Sequence, residues 1–539
     1  MVNKLFHLIC SDFKYCIMRN MMKFQVIFLL FFGMVACYDK DENYEYKPKT
    51  ELSVILNGLK ESYISLEDTL YIDPEIMVSN SEHELKYEWS IFMAYDKDKV
   101  PKVVPVTVIG EGKVLRYPVT EKPNSYTVML RVVNKNTAQE VCAHVDIKVK
   151  NKLSEGFYVM KEVEGNSDLD LHFLDGEKLE NLLYRKNGVR LAGSPNSCSV
   201  LLKYSYIDTA TAAFVPTTAL ALATKEDFHI VDVADLGTIY SHKNMFYGEV
   251  PRGEESLFAC FHLYGTSYFS DKGTYFCFYD LIWGDGGSGK FPVKTAINGG
   301  CKPNINICSD GSNVFFFDEL NGRFLCIDAN GGLHDYPDQE DVTENGIRHS
   351  LLFLGNIGGK QVAILRDASD AEKLWLYELE LVVEDPWWGG TMANPGNPIT
   401  KISEISSEKL RKAEYFCSNE TSARILYFVM EGQVYTYDID NETETRLTLD
   451  GLDDGEEIRF IRHRYWTGAL DPKENFDCLV VGTQAGNNYK ICMYDLIGGM
   501  TNGNVTRLFT GKGRAVGLQF VTPGFEVTSA VQGDYPVSY

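Results

Sequence analysis

After residue 50 the chain alternates apolar and polar positions in short runs separated by turn residues, a period of two that predicts strands nearly throughout. Between Glu51 and Lys152 the runs are Leu52 to Leu56, Lys86 to Ile91 and Tyr126 to Val132, with Cys142 to Val149 closing the segment. From Gly156 onward a weak repeat appears at about 45–55 residues, the length of a four-stranded propeller blade. Its clearest copy runs Ala413 to Phe416, Arg424 to Val429, Gln433 to Asp438 and Thr445 to Leu449. The third strand of this unit recurs as Tyr275 to Leu281, Arg323 to Asp328, Leu374 to Leu379 and Lys490 to Leu496. In each an acidic residue follows the apolar strand before a turn. About seven units fit, within the usual range for propellers, and Val516 to Val521 is placed to close the ring. Two β-sandwiches would account for the strands but not for the recurring third one.

The first residues follow a different rule. Arg19 and Lys23 precede an apolar run from Phe24 to Ala36, too short to span a bilayer and patterned as a signal peptide. The run ends in Met34-Val35-Ala36-Cys37, which resembles the lipobox of bacterial lipoproteins. That resemblance implies cleavage before Cys37 and acylation of its thiol. The acidic stretch Tyr38 to Asn43 is a solvated tether by composition. It is also similar to the export signal that carries Bacteroidetes lipoproteins to the outer face of the outer membrane. The expected division is 1–36 signal peptide, 37–50 tether, 51–152 first domain and 153–539 propeller-like domain.

The first domain has about a hundred residues, Trp89 on a middle strand and a late Tyr126-x-Val128-x-Leu130-x-Val132 strand. These features resemble the immunoglobulin-like PKD domain, a two-sheet sandwich whose core the tryptophan would fill. The usual Gly-Asp-Gly turn after the tryptophan is replaced by Ser90-Ile91-Phe92-Met93. Together the lipobox, this domain and the long β-rich remainder resemble the PKD-like lipoproteins of Bacteroidetes. The fold expected is therefore all-β: a PKD-like sandwich followed by a β-propeller of about seven blades.

Charge narrows the partners. The chain carries a formal −23, and without residues 1–36, which hold four basic residues and one acidic, this becomes −26. Such a surface repels phosphate backbones and anionic headgroups, which argues against nucleic acid and leaves the lipid as the only expected membrane contact. Most of the thirteen cysteines sit in apolar strand-like runs, the setting of buried free thiols. Cys301 and Cys308 are the pair that could close a loop.

No motif announces chemistry. Gly284 to Lys290 has the glycines of a phosphate-cradling loop, but Phe291 stands where a magnesium-ligating hydroxyl would be. Asp438-Ile439-Asp440 spaces carboxylates like a calcium loop without its glycine. The ten histidines form no His-Glu-x-x-His pair. The expectation is thus no catalytic set, no cofactor and no metal.

Aromatics at predicted loops point elsewhere. First-to-second and third-to-fourth connections of a blade share one face of the disc. Trp283, Trp387 and Trp388 follow third strands, and Tyr465 and Trp466 follow a first strand, so all five map there as a ligand- or partner-binding surface. Acidic clusters around Asp335 to Glu344 and Asp450 to Glu457 map to the opposite face. Asp68-Thr69-Leu70 and Asp208-Thr209-Ala210 resemble the Bacteroidetes O-glycosylation pattern, which marks Thr69 and Thr209. The family resemblance implies an accessory subunit beside a TonB-dependent outer-membrane transporter and its lid lipoprotein. It would capture oligosaccharide or peptide without catalysis. The alternatives are a polymer-degrading hydrolase or lyase, and an adhesin.

Overall fold

A computed structural model describes residues 52–522, apart from 58, 61, 66–67, 80–81, 83, 95–103, 122–123, 209–213, 252–255, 260–264, 279–286, 310–312, 329–330, 337–346, 359, 381–396, 422 and 467–474. The strands predicted before residue 152 are present. They are β1 (Leu52–Ile55), β2 (Ser62–Ile64), β3 (Thr69–Ile72), β4 (Glu75–Val78), β5 (Leu85–Met93), β6 (Thr107–Gly110), β7 (Leu115–Pro118), β8 (Asn124–Asn134) and β9 (Glu140–Lys150). One sheet has the order β2-β9-β8-β5-β6, and the pairs β1-β4 and β3-β7 cover its inner face. Alternation puts Val128, Leu130 and Val132 of β8 inward against Leu70 and Ile72 of β3. Trp89 is fully buried at the centre, and its indole N–H donates to the Gly112 carbonyl at 2.9 Å, satisfying the one polar atom it brings inside.

Only five residues connect β9 to the next strand, and they are fastened. Ser154 is buried, Tyr158 donates to the Leu153 carbonyl, and Asn151 Nδ2 donates to the Ala234 carbonyl at 2.7 Å.

The described residues of the remainder form seven sheets. In chain order come β10 (Gly156–Val163), β11 (Asn166–His172) and β12 (Lys178–Leu179), then blade 1, made of β13 (Pro195–Ile207), β14 (Phe214–Thr224), β15 (Phe228–Asp232) and β16 (Thr238–Ser241). Blade 2 holds β17 (Ser256–Ala259), β18 (Gly265–Ser270) and β19 (Gly273–Phe278). Blade 3 holds β20 (Pro303–Ser309), β21 (Val314–Asp318), β22 (Arg323–Ile327) and β23 (Leu333–Asp335). Blade 4 holds β24 (Ser350–Ile357), β25 (Lys360–Arg366), β26 (Leu374–Leu379) and β27 (Ile399–Glu404). Blade 5 holds β28 (Tyr415–Ser418), β29 (Ile425–Met430), β30 (Gln433–Asp438) and β31 (Thr443–Arg446). Blade 6 holds β32 (Glu457–Trp466), β33 (Phe476–Ala485), β34 (Asn488–Asp495) and β35 (Arg507–Lys512), followed by β36 (Arg514–Val521).

Each sheet runs antiparallel in chain order except the last, whose order is β12-β11-β10-β36. β36 thus becomes the inner strand of a closing blade whose other strands come from the start of the ring. Inner strands pack side by side, with β36 against both β13 and β32, which makes the propeller closed. The four recurrent third strands of the sequence are β19, β22, β26 and β34. In the clearest copy the third strand lies where the sequence places it, whereas the first is displaced to Tyr415–Ser418, the second by one residue and the fourth to Thr443–Arg446. In blades 3 and 5 the terminal acid fastens the following turn: Asp328 Oδ1 accepts from the Gly332 N–H, and Asp438 Oδ1 from the N–H groups of Asp440 and Asn441, which makes the latter segment a hairpin turn.

Blade 2 has three strands among the described residues, and the segment at Phe291 instead bridges in parallel to Phe246. Cys301 and Cys308 are free thiols. Extended β20 lies between them, and at about 3.3 Å per residue it sets them on the order of 20 Å apart, far beyond disulfide reach.

Candidate functional site on the ring axis

Register shifts interrupt the inner strands β13, β20, β24 and β32 and the β10–β36 pair. Each bulge bends its strand and re-aims the side chains beyond it. Where the inner strands of blades 3 to 6 end, toward the first-to-second connections, they surround a recess lined by Ser309, Asn356, Ser418, Glu420, Arg462 and Arg464 among others. Gly355 lets β24 and β28 approach there: a Cβ on it would stand 2.5 Å from Ser418 Oγ. The enclosed space is about 20 Å³, enough for one water-sized group. What fits is the tip of a ligand, not a sugar ring.

The turn carrying Glu420 is held from several sides. Buried Asn419 accepts from the N–H of Thr421 and of Ala423 through Oδ1 and donates through Nδ2 to Tyr427. The Glu420 N–H donates to His463 Nδ1 at 3.0 Å, so that nitrogen is the acceptor. Nε2 therefore carries the proton and donates to Asp477 Oδ1 at 2.7 Å. His463 is fully enclosed and acts as a strut between two blades, with both ring nitrogens engaged.

Two arginines leave β32 on the same side. Arg464 is buried, and its Nε donates to the Leu518 carbonyl of β36 at 3.4 Å; Arg462 is half-buried, with Nη1 donating to the Ile461 carbonyl. Burial raises the Glu420 carboxyl above its ordinary value, against the opposing charges of Arg464 and Arg462. Burial likewise pushes the Cys417 thiol up to about 12, so it supplies no thiolate to the recess at neutral pH. In a chain of strongly negative charge, this recess is a local concentration of cationic side chains. It is chemically suited to an anionic group.

The recess opens on the face that the aromatic expectation selected, but different residues build it. Tyr465 and Trp466 are a correction. They end the ten-residue strand β32, are 7% and 1% exposed, and Trp466 packs with Phe476 and Phe520 in the core. An inner strand this long keeps its last residues inside the ring. Trp283, Trp387, Trp388, Cys37 and Thr209 lie outside the described residues, and Thr69 stands exposed at the start of β3. On the opposite face, Asp453 and Glu456 both meet Lys490, at 2.6 and 2.8 Å, so part of that acidity is neutralised. Sequence reasoning missed Glu420 and both arginines because Glu420 comes from blade 5 and the arginines from blade 6, with no motif joining them.

The first domain now has a family correlate. A model of the PKD-like family matches residues 37–195. The match takes in the whole PKD-like sandwich and continues through β12 to Pro195, where β13 begins. No curated protein matches the chain. Among solved structures, a quinonprotein alcohol dehydrogenase-like protein from Bacteroides thetaiotaomicron is 15% identical, with 86% of this chain and 99% of that one covered and a TM-score of 0.35. A structural genomics protein of unknown function from the same bacterium is 10% identical, covering 88% and 100%, with a TM-score of 0.28. The WD40 domain of SCAP from fission yeast is 9% identical, covering 59% and 75%, with a TM-score of 0.27. The propeller assignment rests on the sheet order and ring closure described above.

Proposed function

We propose that the protein is an outer-membrane lipoprotein, anchored through Cys37 and exposed at the cell surface, whose propeller captures a carboxylate-bearing oligosaccharide or peptide for a TonB-dependent importer and its lid lipoprotein. One observation carries the ligand chemistry: Arg462 and Arg464 converge on an axial recess in an otherwise acidic chain. The lipobox and acidic tether support the address, and the PKD-like domain would space the ring from the membrane.

Binding of acidic and neutral oligosaccharides and peptides to the purified protein tests the capture step. Acidic ligands should bind, and Arg462→Ala should weaken them at least tenfold while neutral ones stay indifferent. Equal binding of neutral ligands, or an indifferent Arg462→Ala, removes the proposal. Cys37→Ser should release the protein from the membrane, and co-purification from native outer membrane in mild detergent should recover the transporter.

A hydrolase or lyase is the second reading, favoured by the raised carboxyl of Glu420, the property of a general acid. Products appearing from a polymer substrate, and lost in Glu420→Gln, would select it.

A further inference from the structure

The opposite face of the ring carries a separate constellation in blade 1. Asp227 ends the turn between β14 and β15, His229 is the second residue of β15, and His242 follows β16. His229 Nε2 stands 3.2 Å from Asp227 Oδ2, and His242 Nδ1 meets Asp227 Oδ1. All three donor atoms lie within 4.8 Å of one another.

Backbone bonds fix each of the three independently. The Thr224 N–H donates to the Asp227 carbonyl and the Asp227 N–H to Thr224 Oγ1, both at 2.8 Å. The His242 N–H donates to the Phe228 carbonyl, and His229 pairs with Ser241 across the sheet. The side chains are 15–19% exposed, so water and ions reach them without a free surface loop having to order.

Two imidazoles and one carboxylate are a ligand set suited to first-row divalent metals, which bond nitrogen and oxygen at about 2.0–2.2 Å. Tetrahedral bonds of that length separate neighbouring donors by roughly 3.3 Å, close to the Asp227–His229 distance. Among the described residues, other carboxylates of the ring meet a single imidazole, as Asp328 does His334 at 2.7 Å. Asp227 meets two.

We propose that Asp227, His229 and His242 form a binding site for a divalent cation of the zinc class, with water completing the coordination. The ion ties the second-to-third turn of blade 1 to the end of its outermost strand, on the face away from the axial recess. It is therefore independent of ligand capture.

The full chain, purified in detergent without an affinity histidine tag and stripped with chelator, is titrated with Zn²⁺ and separately with Co²⁺. One equivalent of Zn²⁺ should bind saturably, and Co²⁺ should give the visible bands of a tetrahedral nitrogen and oxygen site. His229→Gln and His242→Gln should each weaken binding at least tenfold, whereas His334→Gln should not. Failure of the unmutated chain to bind one equivalent overturns the proposal, whatever the variants do. So does binding that survives both substitutions in folded protein. An intense thiolate-to-cobalt charge-transfer band would assign the ion to cysteine and would equally overturn it.

Discussion

Lys161 Nζ stands 2.7 Å from the Asp170 carboxylate, and both side chains are closed to solvent. Lys161 lies on β10 and Asp170 on β11, within the blade that closes the ring. Tyr489 of blade 6 donates to the same carboxylate at 2.7 Å and meets His172 Nε2 at 2.9 Å. The buried network thus ties the closing blade to its neighbour.

Asp170→Ala should cost about 3–5 kcal/mol, because it leaves a buried ammonium without its counter-charge and takes one of two partners from the buried Tyr489 phenol. The urea midpoint of the propeller reads this. The double change Lys161→Met with Asp170→Leu should recover much of the loss, since an apolar pair needs no partner.

His172 gives the network a pH dependence. Burial lowers its value from 6.5 to about 4, against the opposing pull of Asp170. Between those values the unfolded chain binds a proton that the folded chain does not. The contribution is therefore intact above about pH 6.5, falls as the pH drops and levels off near 4, with a span on the order of 3 kcal/mol. Melting temperature against pH for the unmutated chain and for His172→Phe should differ in slope within that window and run parallel above it.

Trp466→Ala should behave as a core deletion. About 3–5 kcal/mol of stability is at stake, visible in urea unfolding, and ligand binding should fall only where the protein unfolds. Arg462→Ala should show the reverse: weakened binding of acidic ligands with the unfolding midpoint little changed.

Asn151 fastens the segment between the sandwich and the ring through the Ala234 carbonyl. Asn151→Ala should make the bond after Lys152 more susceptible to trypsin. The unmutated junction should resist under the same conditions, as peptide mass fingerprints over time would show.

Much of the architecture was legible because it repeats. Third strands announce themselves by an apolar run and an acid before the turn, as at Asp438, and Trp89 marks the sandwich by being large and solitary. Val516 to Val521 could be placed as the closing strand because it followed the last complete unit. The axial recess was not legible, since Glu420 and Arg464 meet only after the ring has closed and β32 has bulged between Ile458 and Phe460. Tyr465 and Trp466 misled for a related reason: an aromatic pair ending a long inner strand reads the same as one on a loop. The triplet in blade 1 had a faint signal, Asp227-x-His229 followed by His242, but the spacing matches no metal motif, and only strand pairing brings His242 back.

The sheet order β12-β11-β10-β36 also sets a timetable. Glu162 and Arg514, an ion pair across the closing seam, stand 352 positions apart, so the first half of that pair is made long before the second. During synthesis β10 offers an open hydrogen-bonding edge until almost the whole ring has been made. Under the export proposed above, that interval would pass outside the cytoplasm, where an unmatched edge invites other strands to dock. The sandwich, complete by Lys150, can assemble at once and keep the waiting strand tethered to folded protein. Arrest of synthesis before Arg514 would therefore yield a folded first domain and six blades unable to settle, making β36 the checkpoint for the entire ring.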